Sequence, residues 1–177
     1  NAMSMAGHTR AAMGIVRKYW GGMIAEGATT FWEGYDPSWP TADFHAHLQA
    51  DNGTGYFVSL CHGWSSGATS WLTEQVLGIR PTGGGFRTAD IVPRLGDLEW
   101  AEGAVPAPHG QIVLSVRKEG SGMVLQLTLP QGVAATVGVP GSSVILNGKP
   151  AQIDNRQEGR AYFELTRPGR YTIQSST

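Results

Sequence analysis

The stretch Val124-Leu125-Gln126-Leu127-Thr128-Leu129 decides the fold class. Leu125, Leu127 and Leu129 fall on one side of an extended chain and Val124, Gln126 and Thr128 on the other, as in a half-buried strand. Ile112, Leu114 and Val116 repeat the pattern upstream, and Tyr171 and Ile173 repeat it downstream. Asn147-Gly148-Lys149-Pro150 and Arg167-Pro168-Gly169 read as turns between further strands. Strands spaced this closely, without intervening helices, predict an antiparallel β-sandwich over residues 79–177.

Before Gly78 the period changes. Ala12, Ile15, Val16, Tyr19, Trp20 and Met23 lie at i, i+3, i+4, i+7, i+8 and i+11, one stripe of an amphipathic helix over Arg10 to Met23 whose end Gly21-Gly22 should fray. A second helix is predicted over Ser66 to Leu77, where Ala68, Trp71, Leu72, Gln75 and Val76 share a face and Gly78 supplies the stop. Pro81 and Gly83-Gly84-Gly85 read as a turn-rich linker into the sandwich. The segment from Gly34 to Leu60, rich in Pro, Asp, His and Gly, is too long for an idle connection and reads as a functional loop. The chain is therefore expected to be α+β, with helical segments over 4–78 and the sandwich over 79–177. Asn1-Ala2-Met3 reads as a scar of tag removal, so the start carries no information about compartment. The two helical stripes cannot cover each other fully, which predicts packing on the sandwich, on each other or on another copy by self-association.

Composition narrows the function. A formal net charge of −1 over 177 residues leaves no basic footprint for nucleic acid, and no apolar run is long enough to cross a membrane. Neither is expected as a partner. The lone Cys61 excludes an internal disulfide and is expected to be a small buried hydrophobe. Six Trp and 25 Gly combine large aromatic plates with many tight turns, a bias shared by carbohydrate-handling proteins and plain β-sandwiches.

Three ordered blocks carry the chemistry. The first, Gly27-Ala28-Thr29-Thr30-Phe31-Trp32-Glu33, sets one carboxylate beside aromatics at what reads as the start of a short helix. The second is Ser59-Leu60-Cys61-His62-Gly63-Trp64, followed by Gly67 and Trp71-Leu72. The third runs from Gly96-Asp97-Leu98 through Gly103, Val105, Pro106, Pro108, His109 and Gly110. Read in this order, they resemble the C-terminal portion of bacterial α-L-rhamnosidases, glycoside hydrolase family 78. The resemblance implies that the first two blocks are the final helices of an (α/α)6 barrel and that the third opens a C-terminal β-sandwich. It also implies inverting hydrolysis of a rhamnose-containing glycan or glycoside, one carboxyl group protonating the leaving oxygen while another activates water.

In that resemblance Glu33 matches the catalytic base, and His62 matches a histidine that contacts the sugar, where an imidazole can donate to or accept from a hydroxyl. Trp32 would be wall or support, or equally a core aromatic. Asp36, Trp39 and Trp64 could line the pocket but carry no assigned role. The family's general acid and its arginine and aspartate sugar contacts come from earlier barrel helices, and that sequence is absent from these 177 residues, so the chain alone is expected to be inactive.

Other signals are weak. His45-Ala46-His47 puts two imidazoles on one side of an extended strand but has no third ligand, so no metal and no cofactor is expected. Ser65-Ser66-Gly67 lacks the serine-nucleophile elbow, and Gly83-Gly84-Gly85 lacks the Lys-Ser/Thr of a phosphate loop. Trp100 and His109 are expected in the core and in a loop, respectively. Two readings compete with the parent hydrolase: a non-catalytic carbohydrate-binding or structural β-sandwich module, and part of a different (α/α)6 glycosidase.

Overall fold

The structure, a computed structural model, describes residues 2–38 and 59–177. Two compact units divide the chain, Asn1–Trp71 and Leu72–Thr177. The expected functional loop lies largely outside the described residues, as do Trp39, His45 and His47.

The first unit holds helices α1 (Ala2–Met5), α2 (Thr9–Ala25) and α3 (Gly67–Trp71), the last entered through a 3-10 turn at Gly63–Ser66. Helix α2 continues through Gly21-Gly22, contrary to the expected fraying there. At position 22 a Cβ would sit 2.5 Å from the Tyr35 ring, so any larger residue there would displace that ring. The helix ends instead in a Schellman motif, with Gly27 left-handed at φ +91°. There the Gly27 amide donates to the Ile24 carbonyl at 3.0 Å and the Ala28 amide to that of Met23 at 2.9 Å. The apolar stripe is covered unevenly: Ala12, Met13 and Met23 are buried, whereas Ile15 is 42% exposed. An apolar groove of about 460 Å³ runs beside it, with Met3, Ile15, Val16, Trp20, Ala68 and Trp71 in its walls. Trp71 is buried with its indole N–H donating to Ser4 Oγ at 2.9 Å, so the polar end of the ring is satisfied.

The second unit begins with a π-helical turn, Leu72–Leu77. The expected stop at Gly78 is present, at φ +79°. Five strands, β1 (Ile79–Pro81), β2 (Thr88–Ile91), β6 (Ala134–Pro140), β10 (Arg160–Leu165) and β9 (Asn155–Gln157), form one sheet in the order β1-β2-β6-β10-β9. The other sheet has the order β3-β4-β5-β11-β7-β8, from β3 (Trp100–Ala107), β4 (Gly110–Glu119), β5 (Gly122–Leu129), β11 (Gly169–Ser176), β7 (Ser143–Leu146) and β8 (Lys149–Pro150). The inward faces supply the core, with Ile112, Leu114, Leu125, Leu127 and Ile173 from the second sheet and Ile79, Ile91, Val137 and Phe163 from the first, all essentially buried. The period-two reading of β4, and of β5 from Leu125 to Leu129, is thus the reading of the core itself, while Val124 on the opposite face is also buried.

Several expectations are corrected. Pairing is antiparallel except that β2 runs parallel to β6, Thr88 opposite Ala134. This is possible because the chain visits β3, β4 and β5 in the other sheet between them, giving the long crossover a parallel pair requires. Gly83-Gly84-Gly85 is not an interdomain linker but part of the loop of the β1–β2 hairpin, closed by a 2.8 Å hydrogen bond between the Thr82 and Thr88 hydroxyls. Trp100 is 61% exposed rather than in the core. The β3–β4 register explains this: Ala101, Gly103 and Val105 oppose the buried Val116, Leu114 and Ile112, so Trp100 alternates outward, opposite Arg117. His109 does lie in the β3–β4 turn.

Two local features fix this unit further. Asn147 and Gly148 both have positive φ, +50° and +78°, as the two-residue hairpin between β7 and β8 demands. The Arg160 guanidinium donates to the Gly138 carbonyl at 2.9 Å and the Pro93 carbonyl at 2.8 Å. Its burial, and then the charge of Arg94, pull its pKa below the usual arginine value. Among the described residues no helix is long and apolar enough to cross a membrane.

Candidate functional site

The Schellman turn at Gly27 delivers the chain not into a helix but into a non-helical segment, Phe31 to Glu33, that bends at Glu33. The expected short helix at Glu33 is therefore absent. Backbone pairing with the second block replaces it: the Glu33 amide donates to the Ser59 carbonyl at 2.8 Å, and the His62 amide to that of Phe31 at 2.7 Å. The two segments run antiparallel with one more residue between the pairing points on the second, and Thr30 Oγ1 also donates to the Leu60 carbonyl.

Neighbouring side chains in this segment have different surroundings. Trp32 is 3% exposed and packs with Met23, Trp20, Ala28, Tyr35 and Leu60, which selects core packing over pocket wall for its ring. Glu33, next in sequence, is half-buried, and its Oε2 accepts the Ser59 amide at 2.8 Å. A backbone donor cannot change rotamer, so this bond orients the carboxylate more firmly than a side-chain partner would.

Three bonds tie Trp20, Trp32 and Glu33 to the turn after His62. The Trp64 indole N–H donates to the Glu33 carbonyl at 2.8 Å, Ser65 Oγ to the Trp32 carbonyl at 2.5 Å, and the Trp20 indole N–H to the Ser65 carbonyl at 2.7 Å. The His62 ring stacks on the Trp64 ring, with centroids 4.2 Å apart and planes 29° apart. His62 Nδ1 is buried and has no hydrogen-bond partner among the described residues. A bound water can satisfy an imidazole nitrogen in that state.

The remaining candidates fall outside this cluster or beside it. Asp36 Oδ1 accepts the Ser38 amide at 2.8 Å and the Ser38 hydroxyl at 2.7 Å, an Asx-type turn that directs its carboxylate to its own loop. The Ser38 amide bond, then the Ser38 hydroxyl, hold its pKa below the ordinary aspartate value. Cys61 is exposed, contrary to the expectation of a buried thiol, because its segment is held by backbone bonds with the Ser59 hydroxyl and its side chain faces out. Ser59 and Ser65, which orient Glu33 and the His62 turn, stand in the sequence motifs above, but nothing in the sequence gives them that positioning role. Ser59 acts on the carboxylate through its main-chain N–H, for which no residue type is a signal.

Comparison with known proteins gives a consistent set. The family model for the Bacterial alpha-L-rhamnosidase C-terminal domain matches residues 78–153. An alpha-L-rhamnosidase of Alteromonas sp. (strain LOR) is 32% identical over 117 residues, 66% of this chain and 12% of the relative. The crystal structure of Streptomyces avermitilis alpha-L-rhamnosidase complexed with L-rhamnose superposes over 98% of this chain and 17% of that one, with TM-score 0.77 and 23% identity. A GH78 family rhamnosidase of Bacillus sp. GL1 covers 77% of this chain, matched to 15% of its own, with TM-score 0.57 and 31% identity. The chain thus spans roughly an eighth of the length of the curated relative it matches.

Proposed function

We propose, from the premise that this chain corresponds to the C-terminal portion of bacterial α-L-rhamnosidases, that it carries the general base of an inverting α-L-rhamnosidase-like hydrolase and lacks the general acid. Residues 4–78 are then the end of the catalytic (α/α)6 barrel and residues 79–177 the C-terminal sandwich domain. Glu33 is the base, His62 contacts the sugar, and the substrate is a rhamnose-containing glycan or glycoside.

The observation that carries this reading is the Glu33 carboxylate, oriented by the Ser59 amide at 2.8 Å and joined through its own carbonyl to the Trp64 indole. An inverting base must hold one water at a set distance from the anomeric carbon, and a carboxylate locked by a main-chain donor meets that requirement. His62, which matches the family's sugar-contacting histidine, adds the hydroxyl-recognising group, and its Nδ1 has no hydrogen-bond partner among the described residues.

Base and acid act together, so either one alone gives little of the rate. The purified 177-residue chain should show no turnover of an aryl α-L-rhamnoside. In a full-length parent, Glu33→Gln should lower kcat by orders of magnitude with the fold intact. Turnover by the isolated chain that Glu33→Gln abolishes would refute the half-site reading, and a near-normal rate in the full-length variant would remove Glu33 as base.

A further inference from the structure

Trp64 makes a bond that burial does not compel. Its ring is 68% exposed, so water could satisfy the indole N–H, yet that N–H donates to the Glu33 carbonyl at 2.8 Å. Trp71 is the ordinary case, a buried indole whose N–H must find its partner inside the protein.

Four hydrogen bonds converge on Glu33. Its amide donates to the Ser59 carbonyl and its Oε2 accepts the Ser59 amide, both at 2.8 Å. Ser65 Oγ donates to the preceding carbonyl, that of Trp32, at 2.5 Å. The Glu33 amide and the Trp32 carbonyl belong to one rigid peptide plane, on the N-terminal side of the Glu33 Cα. The plane on the C-terminal side is tied down by the Trp64 indole, and it leads into Gly34, whose missing Cβ leaves the backbone free to turn. A Cα–Cβ bond points in a fixed direction only when the planes on both sides of it are held. The His62 ring, stacked on the same indole with centroids 4.2 Å apart, is placed by that side chain too.

We infer that Trp64 is a positioning residue for Glu33: its N–H fixes the second peptide plane and, through it, the direction in which the carboxylate stands. The consequence for catalysis rests on the reading of Glu33 as the base. The hold on the carboxylate does not.

The test uses Trp64→Phe, which keeps an aromatic ring against His62 and removes the N–H. In the 177-residue chain, NMR over a pH series should show a step in the Ser59 amide shift that Glu33→Gln abolishes, because that amide is bonded to the carboxylate. Trp64→Phe should lose most of this step while its far-UV circular dichroism stays that of the folded chain. No such step in the wild type, or a full step in Trp64→Phe, would overturn the inference. The wild-type Trp64 indole N–H should also exchange with solvent about tenfold more slowly than a free indole. Exchange at the free rate would overturn the inference even if the variant failed to fold.

In a full-length parent, Trp64→Phe should lower kcat about ten- to a hundredfold with KM nearly unchanged. A raised KM at unchanged kcat would overturn the positioning role. A near-normal rate for full-length Glu33→Gln would remove Glu33 as base, while a Trp64-dependent Ser59 step would still support the hold on its carboxylate.

Discussion

Gly78 joins the π-helical turn to strand β1, and its replacement by alanine should be among the most damaging single-methyl changes in the sandwich. Two costs add. At φ +79° an L side chain sits in the left-handed region, at about 1–2 kcal/mol. A Cβ there would also lie 2.2 Å from the Val92 carbonyl carbon, 2.3 Å from its oxygen and 2.5 Å from Pro93 N. These are backbone atoms, held by the Val92 amide on the Gly78 carbonyl at 2.9 Å and the Arg94 amide on the Val76 carbonyl at 3.0 Å. Relief therefore means displacing the base of the β1–β2 hairpin, an overpacking cost of roughly 1–3 kcal/mol. Loss of glycine's freedom in the unfolded chain returns about 0.4–1 kcal/mol. The net expectation is a loss of about 2–4 kcal/mol.

Gly148 is the matched control. Its φ is +78°, and a Cβ there meets nothing within 4 Å. Gly148→Ala should cost about 1 kcal/mol or less, the conformational part alone. Urea unfolding followed by far-UV circular dichroism separates the two. With m of about 1–3 kcal/mol per M, Gly78→Ala should lower the midpoint by about 1 M or more and Gly148→Ala by a few tenths. Equal losses at unchanged m would refute the reasoning, because the close approach of Val92 would then contribute nothing.

The remaining predictions concern the first unit. Hydrogen bonds from Ser38 lower the Asp36 pKa in the folded state, so the turn's stabilisation is present above the unfolded aspartate pKa and is lost as pH falls through the folded one. An NMR titration should show the Ser38 amide shifting in acid, below the ordinary aspartate range, and Asp36→Ala should abolish that step; a Ser38 shift that persists in the variant would remove the assignment. The groove beside α2 leaves Ile15 and Val16 partly uncovered, which predicts reversible self-association of the isolated chain. Light scattering should then give a mass that rises with concentration and falls back for Ile15→Glu, and a constant monomer mass would count against it.

Sequence alone determined what depends on neighbours along the chain. The alternation in β4, and in β5 from Leu125 onward, sets which side chains are buried, because an extended chain has only two faces and one is covered there. The Asn147-Gly148 turn and the Gly78 stop were legible for the same kind of reason, since each needs a backbone conformation that few residues adopt. So were the ordered blocks around Glu33 and His62, which carry the family resemblance.

Tertiary structure decided what depends on partners far away in sequence. The parallel β2–β6 pair and the outward register of Trp100 follow from which strands meet, and periodicity cannot report that. Glu33 read as a helix start because acid and aromatics at that spacing suit one, but backbone pairing with residues 59–62 holds the segment out of a helix. What orients its carboxylate is the main-chain amide of Ser59. Every residue except proline carries that donor, so no sequence pattern marks it, and only the folded chain shows which amide reaches the carboxylate.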